Sequence, residues 1–106
     1  METFHVHGQL GDSTIHVGEQ LKNLESYLPD TQTVIVTDEN ISRLYGRDFP
    51  DLPVITIGTG EEIKTLATVE SILKDLIELG CDRSSYIVGI GGGIVCDITG
   101  FAASCY

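Results

Sequence analysis

Three consecutive glycines, Gly91-Gly92-Gly93, lie between a β-branched run and a stretch with helical spacing. Glycine lets a ligand approach the main chain closely and lets the backbone adopt a positive φ. The first amides of a helix have no partners inside it, and the helix dipole adds partial positive charge there. A strand, a glycine turn and a helix in this order are typical of a phosphate-binding turn. A tight strand-to-helix turn without a ligand has the same pattern.

The sequence around the turn departs from one common phosphate motif by one residue and excludes another. The dinucleotide fingerprint Gly-x-Gly-x-x-Gly fails at its last position, which is Cys96. The Gly-Lys-Ser/Thr of a nucleoside-triphosphate P-loop is missing. We predict that the helix begins near Ile94, which places Asp97 in its first turn, where the dipole stabilises an acid.

Strand-like and helix-like segments alternate along the chain. The predicted strands are a hairpin of 4–7 and 14–17, then 33–37, 54–57 and 85–90. The predicted helices cover about 19–28, 39–45 and 59–79, and a last one follows the glycine turn. The runs 33–37 and 54–57 are typical of strands buried on both faces. The alternation predicts an α/β fold, a Rossmann-like, mostly parallel sheet with helices on both faces, preceded by a β-hairpin.

The helix of 59–79 has the clearest signals. Thr59 and Glu62 resemble a capping box at its start, and Gly80 fits a left-handed residue after its end. The apolar stripe that we expect it to bury consists of Ile63, Leu66, Ala67, Val69, Ile72, Leu73, Leu76 and Ile77.

Composition narrows the function classes. Sixteen acidic and six basic residues give a net charge of −10, which disfavours nucleic acid and an anionic membrane surface as partners. No apolar run approaches the roughly 20 residues that span a bilayer, and the N-terminus has no features of a secretory signal. Cys81, Cys96 and Cys105 form no Cys-x-x-Cys pair. We therefore predict reduced, buried or half-buried thiols in a cytoplasmic protein.

Three motifs resemble, in order, those of the 3-dehydroquinate synthases. The segment 91–103, GGGIVCDITGFAA, resembles the family's Gly-Gly-Gly-Val-x-Gly-Asp-x-x-Gly-Phe-x-Ala. The segment 36–45 resembles Val-Thr-Asp-x-Asn-Val-x-x-Leu-Tyr, and 60–65 resembles Gly-Glu-x-x-Lys-Ser/Thr. The opening hairpin also fits the family's start, so the resemblance covers essentially the whole chain.

The resemblance implies a NAD-dependent carbon–oxygen lyase of the shikimate pathway, which supplies aromatic amino acid biosynthesis. Such enzymes convert 3-deoxy-D-arabino-heptulosonate 7-phosphate into 3-dehydroquinate and phosphate. NAD oxidises a substrate hydroxyl, phosphate is eliminated, and the hydride returns before the ring closes. A divalent metal, zinc or cobalt, holds the substrate hydroxyls. The implied partners are this cofactor and a sugar phosphate, and the implied full-length enzyme is a cytoplasmic homodimer.

Only the cofactor side of the family's site can be carried over. The implied NAD-binding residues are Asp38 and Asn40 at the adenosine side, Glu61 and Lys64 at the ribose region, Gly92, Gly93 and Ile94 at the pyrophosphate, and Asp97 near the nicotinamide. Carboxylates accept from ribose hydroxyls, which is the usual reason for an acid after a strand. Interpretations without a ligand remain. Asp38 can cap the helix over 39–45, Glu61 can be a first-turn acid, and Glu61 and Lys64 can pair on the surface.

The chain departs from the family in two ways. Cys96 stands where many members have glycine. The family's metal ligands, one Glu and two His, and its substrate-binding Lys and Arg lie in a later helical domain, so none is assigned here. We expect residues 1–106 to be an N-terminal NAD-binding domain with no catalytic residue and no metal ligand of its own. The helical pattern still running at Tyr106 is what we expect of a fragment, inactive by itself.

Three histidines form a separate candidate group. His5 and His7 share one face of the first strand, and His16 on the paired strand can face them. Three imidazoles can bind zinc. A polar hairpin face or a subunit contact is the interpretation that we favour.

Three alternative functions stay open. Iron-containing alcohol dehydrogenases share the fold, but their turn has Ser at the position of Ile94 and Lys at the position of Gly100. Another sugar phosphate cyclase would share the NAD motifs, and a stand-alone nucleotide-binding module would bind NAD without turnover.

If the chain is a fragment, we expect an exposed apolar surface around Ile98, Phe101 and Tyr106, where the helical domain would dock. This surface should reduce the stability of the isolated chain or cause it to self-associate.

Overall fold

The computed structural model describes residues 1–106, which form two separate sheets. The strands are β1 (Glu2–His7), β2 (Asp12–Val17), β3 (Thr33–Asp38), β4 (Val54–Ile57) and β5 (Tyr86–Ile90). The helices are α1 (Glu39–Tyr45), α2 (Leu66–Glu78) and α3 (Gly93–Cys105), with 3-10 segments at Leu21–Tyr27, Gly46–Asp48 and Glu61–Ile63. The first two strands form an antiparallel hairpin, and the others form a parallel sheet in the order β4-β3-β5. The predicted α/β fold with a preceding hairpin is confirmed.

The core is built around the central strand β3. Residues 33–37 are all buried, as the β-branched run predicts. Val34 and Val36 face α2 and α3 in one apolar cluster, and Ile35, on the opposite face of the strand, is also fully buried. The prediction that β4 is buried on both faces is wrong, because Val54 is 41% exposed. This strand lies at the edge of the sheet and buries one face only.

Helix α2 begins later than predicted. Its N-cap is Thr65, whose hydroxyl accepts a hydrogen bond from the amide of Thr68 at 3.2 Å. The predicted capping box of Thr59 and Glu62 does not form, because a positive φ of 90° at Gly60 redirects the chain into one 3-10 turn. A residue with a local hydroxyl cap can start a helix wherever the following backbone allows it. In this chain the backbone first continues as an α-helix after Thr65.

The end of α2 agrees with its prediction. Gly80 has φ 77°, and its amide donates to the carbonyl of Ile77 at 3.0 Å. The amide of Cys81 donates to the carbonyl of Leu76, also at 3.0 Å. This pair of bonds is a Schellman motif, which satisfies the last carbonyls of the helix.

The apolar stripe on α2 is narrower than predicted. Val69, Ile72 and Leu76 are buried, and Ile63 and Leu73 pack against the core while partly buried. Leu66 is 75% exposed and Ile77 is 66% exposed. Consecutive residues of a helix are rotated by about 100°, so Ile77 turns away from the face on which Leu76 is buried.

The segment predicted as a helix over 19–28 is a 3-10 segment instead. None of the residues Leu21–Tyr27 is buried, so no core packing selects the α-helical period over the 3-10 period. Leu21 and Leu24 are three residues apart, which matches the three residues per turn of a 3-10 helix. The prediction of an α-helix here is therefore wrong.

The thiols differ in burial. Cys81 is half-buried as predicted, but Cys96 and Cys105 are exposed, and all three are unpaired. Helix α3 turns Val95, Ile98 and Ala102 to the core, while Cys96 and Cys105 are exposed positions of the same helix. No helix has both the length and the apolar character needed to cross a membrane.

Candidate functional site

The carboxyl ends of the three parallel strands meet at one edge of the sheet. Strand β3 leads into Asp38 and α1, β4 leads into the loop of residues 58–65, and β5 leads into the glycine turn and α3. Ligands of open α/β sheets bind at this edge. The fold therefore brings all eight sequence-predicted site residues to the same edge.

The glycine turn leaves open space on its outer side. A Cβ atom on Gly92 or Gly93 would meet no atom within 4 Å. A Cβ on Gly91 would lie 2.7 Å from a methyl group of Val95, so only glycine fits there without a shift. A ligand can therefore reach the main chain at Gly92 and Gly93, whereas Gly91 packs the turn against α3.

No side chain caps the start of α3. Its N-cap is Gly92, which has no side chain to bond the helix amides. The amide of Cys96 makes the first intrahelical bond, to the carbonyl of Gly92, so the amides before it are free for an anion. The helix begins at Gly93, one residue before the predicted Ile94, so Asp97 is its fifth residue. Asp97 is consequently in the second turn, and the prediction that it is a first-turn acid is wrong.

Cys96 touches the turn from the helix. Its Sγ lies 3.6 Å from the carbonyl oxygen of Gly91 and can donate to it weakly. The sulfur therefore occupies space beside the turn that a glycine would leave empty. Nothing in the local sequence pattern signalled this contact.

An ion pair connects two of the predicted site residues. Lys64 Nζ lies 3.0 Å from Asp97 Oδ2. The predicted surface pair of Lys64 with Glu61 does not form, because Asp97 takes the ammonium group. The hydrogen bond to Asp97 and the negative charge of Asp97 raise the pKa of Lys64. The charge of Glu61 raises this pKa by a smaller amount. Glu61 itself makes no ion pair and is exposed.

A largely apolar groove lies beside this ion pair, between the first turns of α2 and the middle of α3. Its volume is about 400 Å³, and its apolar walls are Leu66, Val69, Ile98 and Phe101. Phe101 is 51% exposed, as expected. Ile98 is buried in the core cluster, and Tyr106 is half-buried and donates from its hydroxyl to the carbonyl of Cys81 at 2.6 Å. Of the surface predicted around Ile98, Phe101 and Tyr106, only Phe101 is exposed, and the exposed Leu66 beside it was predicted to be buried.

At the other end of the edge lies a polar hollow. Asp38 caps α1 by accepting from the amide of Ile41 at 2.7 Å, which confirms its interpretation as an N-cap. Asn40 accepts from the guanidinium of Arg43 at 2.5 Å. Arg43 and Thr59 line this hollow of about 440 Å³ together with Asn40. Sequence reasoning did not single out Arg43, although its spacing of three residues from Asn40 on a helix was a usable signal.

The hairpin histidines share one face, as predicted. Thr3 pairs with His16 and His5 pairs with Thr14 across the hairpin. Thr3 Oγ1 lies 3.1 Å from His16 Nδ1, and His7 Nδ1 lies 3.3 Å from a carboxylate oxygen of Asp12. No group of three His, Cys, Asp or Glu side chains is placed to hold a metal. The residues present in this chain do not fit a metal site.

Comparisons with known proteins agree on one family. A family model described as 3-dehydroquinate synthase N-terminal matches residues 54–106. The 3-dehydroquinate synthase of Sulfurovum sp. (strain NBC37-1) is 42% identical over 83 residues, which are 73% of this chain and 24% of the relative. The 3-dehydroquinate synthase of Shewanella frigidimarina (strain NCIMB 400) is 33% identical over 111 residues, covering 92% of this chain and 31% of the relative.

A solved structure has the same fold. It is 2-deoxy-scyllo-inosose synthase, complexed with carbaglucose-6-phosphate, NAD+ and Co2+. Its TM-score is 0.77 at 27% sequence identity, and the match covers 99% of this chain and 32% of that chain. The present chain thus spans about a quarter to a third of the length of these relatives.

Proposed function

We propose that this chain, which belongs to the 3-dehydroquinate synthase N-terminal family, is the NAD-binding domain of a longer lyase. The observation that carries the proposal is the glycine turn at the carboxyl edge of the sheet, with an open outer side at Gly92 and Gly93. Free helix amides at this turn suit a pyrophosphate. The domain in this proposal is residues 1–106.

The proposed cofactor site extends along the whole edge. Gly92, Gly93 and Ile94 would hold the pyrophosphate, and Asp38 and Asn40 would hold the adenosine side. One oxygen of Asp38 caps α1, which leaves its second oxygen for ribose hydroxyls. The remaining proposed contacts are Glu61, Lys64 and Asp97.

The reaction belongs to the longer protein in this proposal. A bound nicotinamide supplies reversible hydride transfer, which acidifies the carbon next to the oxidised hydroxyl of the substrate. The substrate is 3-deoxy-D-arabino-heptulosonate 7-phosphate, and the products are 3-dehydroquinate and phosphate. The metal, zinc or cobalt, would be held by residues of the longer protein. We therefore expect residues 1–106 to bind NAD without turnover.

Calorimetric titration of the chain with NAD+ tests the cofactor assignment. A Cβ atom at Gly93 would meet no atom within 4 Å, so Gly93→Val should fold and block the ligand. The matched control is Gly100→Val in the same helix, where a Cβ atom also meets nothing within 4 Å. Binding that survives Gly93→Val unchanged, or no binding by the wild-type chain, would contradict the proposal.

A second candidate is another sugar phosphate cyclase, favoured by the structural match to 2-deoxy-scyllo-inosose synthase. The two candidates use the same cofactor site and differ in the sugar phosphate. Assays of the longer protein with 3-deoxy-D-arabino-heptulosonate 7-phosphate and with a hexose 6-phosphate distinguish them. Phosphate release from the heptulosonate alone supports the first candidate.

The hairpin supports a further part of the proposal, a homodimer. Phe4, Val6, Ile15 and Val17 share one face and are each about half exposed. A two-stranded hairpin is marginal by itself and needs its apolar face covered, and a second copy would cover it. Sedimentation should show a dimer that Ile15→Lys dissociates and Thr14→Lys, on the polar face, does not. A monomeric wild-type protein would contradict this assembly.

The proposed location is the cytoplasm. Its support is chemical: three unpaired cysteines, two of them exposed, suit a reducing compartment. Cell fractionation with an antibody to the chain is the direct measurement.

A further inference from the structure

The N-terminal hairpin shares no core with the rest of the protein. All residues of β1 and β2 are exposed except His16, which is half-buried. The apolar core cluster contains no residue of the hairpin. The hydrogen bonds of the hairpin and its ion pair, between His7 and Asp12, all join residues of the hairpin itself. The hairpin is therefore a separate unit, which we call the arm (residues 2–17).

The arm is joined to the following 3-10 segment by residues 18–20, which have no regular structure. Gly18 has φ 92°, a conformation that glycine adopts without strain. Hinges in proteins are a few residues between elements that absorb a change in φ and ψ. Residues 18–20 have the place and the flexibility of a hinge.

A ring contact crosses this joint. The ring of His16 in the arm lies against the ring of Tyr27 at the end of the 3-10 segment, with centroids 4.9 Å apart and planes tilted by 43°. Ring pairs in this range of distance stabilise a contact beyond the area that they bury. We call the contact of His16 with Tyr27 the clasp.

Both rings of the clasp are held by polar contacts. The hydroxyl of Tyr27 donates to Oε2 of Glu19, which lies in the joint. Asn23 Nδ2 donates to the other oxygen of Glu19 at 2.8 Å. In the arm, Thr3 Oγ1 lies 3.1 Å from Nδ1 of His16. The two rings are therefore fixed from opposite sides of the joint.

The clasp determines which face of the arm is turned outward. Successive side chains of a strand point to opposite faces. Because His16 contacts the 3-10 segment, Ile15 and Val17 lie on the opposite face, together with Phe4 and Val6. The apolar face of the arm therefore points away from the 3-10 segment.

We propose that the clasp is a conformational device that holds the arm in the orientation in which its apolar face can receive a second copy of the chain. A clasped arm is ordered before association, so less conformational entropy is lost when the copies bind. An unclasped arm rotates about Gly18. The orientation of the arm does not depend on the cofactor site, and its effect on assembly rests on the proposed homodimer.

Residual dipolar couplings of the backbone amides measure the orientation of the arm relative to the parallel sheet. The background variant is Ile15→Lys, which keeps the chain monomeric in this proposal. With the clasp intact, the couplings of the arm and the sheet should fit one alignment tensor. Tyr27→Ala and His16→Ala should each reduce the couplings of the arm about twofold or more, because a rotating unit averages them. The double variant should add nothing further.

The controls separate loss of the clasp from unfolding. Tyr45→Ala removes another tyrosine of similar exposure, 48% against 45% for Tyr27, and should leave the couplings unchanged. Unchanged couplings of β3, β4 and β5 show that the sheet remains folded. Nuclear Overhauser contacts between β1 and β2 show that the two strands of the arm remain paired.

Sedimentation equilibrium of the same variants, without Ile15→Lys, measures assembly. Tyr27→Ala should raise the Kd of the dimer about three- to tenfold, because the released arm must be ordered on binding. Tyr45→Ala should leave this Kd unchanged.

The possible results have distinct meanings. Arm couplings that do not respond to Tyr27→Ala and His16→Ala, or that are already averaged with the clasp intact, overturn the clasp. Strands of the arm that separate in either variant overturn it too, because the ring contact would then belong to the fold of the hairpin. A released arm with an unchanged dimer Kd overturns the effect on assembly. A wild-type chain that stays monomeric while its arm is held overturns the proposed homodimer and leaves the orientation of the arm standing.

Discussion

The hydroxyl of Thr37 donates a hydrogen bond to the carbonyl oxygen of Ile90 at 2.7 Å, across two neighbouring parallel strands. The two residues are register partners in β3 and β5, and Thr37 is fully buried. Ile90 directly precedes the glycine turn. The bond therefore holds the carbonyl at the point where the backbone leaves the sheet for the candidate phosphate site.

Thr37→Val removes this donor while keeping the shape of the side chain. We expect a loss of about 1 kcal/mol in the free energy of unfolding, because the carbonyl of Ile90 loses its side-chain partner. Urea denaturation measures the loss. Thr37→Ser keeps the hydroxyl and is the control for the bond. A Val variant as stable as wild type would show that the bond contributes nothing net.

Alanine should destabilise the protein at Gly91 and have little effect at Gly92. A Cβ at Gly91 would lie 2.7–2.8 Å from the side chain of Val95, so Gly91→Ala should cost about 1–3 kcal/mol through overpacking. Gly92→Ala meets no atom and should change stability by less than about 0.5 kcal/mol. The midpoints of denaturation compare the two. Equal midpoints would mean that the turn shifts easily around Val95.

The start of α2 can be tested with two threonines. Thr65→Ala removes the hydroxyl that accepts from the amide of Thr68 and should cost about 1 kcal/mol. Thr59→Ala should change stability by less than about 0.5 kcal/mol, because Thr59 caps no helix. A larger loss of stability at Thr59 than at Thr65 would mean that the helix begins at the predicted capping box.

Glu19 is the clearest pH-dependent group. Its carboxylate accepts from the hydroxyl of Tyr27, from the side chain of Asn23 and from the amide of Gln20. These bonds lower the pKa of Glu19 from 4.5 to about 2. A lowered folded-state pKa contributes stability that is present above the unfolded value and lost as pH falls through the folded value. The contribution should therefore disappear between pH 4.5 and about pH 2.

NMR titration of the Glu19 carboxyl carbon checks this. Tyr27→Phe removes the largest cause of the shift and should return the pKa of Glu19 toward its ordinary value. The stability difference between wild type and Glu19→Gln should shrink over the same pH window. A pKa that does not respond to Tyr27→Phe would mean that the hydroxyl does not hold the carboxylate in solution.

Local patterns predicted much of the fold because their physical causes are local. The β-branched run 33–37 forms the buried central strand, and Asp38 caps the helix that follows it. Gly80 takes a positive φ after α2 because glycine has no Cβ atom, and this cause does not depend on the neighbouring residues. The positions of the candidate site came from motif spacing. The strands that precede those motifs then carry them to one edge of the sheet.

The sequence by itself determined which segments become strands, where several turns fall and which family the motifs resemble, because backbone sterics and hydrophobic period act over a few residues. Only the tertiary structure decided that Lys64 pairs with Asp97, because the two lie 33 residues apart. It also decided that β4 is an edge strand and that Leu21–Tyr27 is a 3-10 segment. Burial depends on what packs against a segment, and that partner is set by the whole fold.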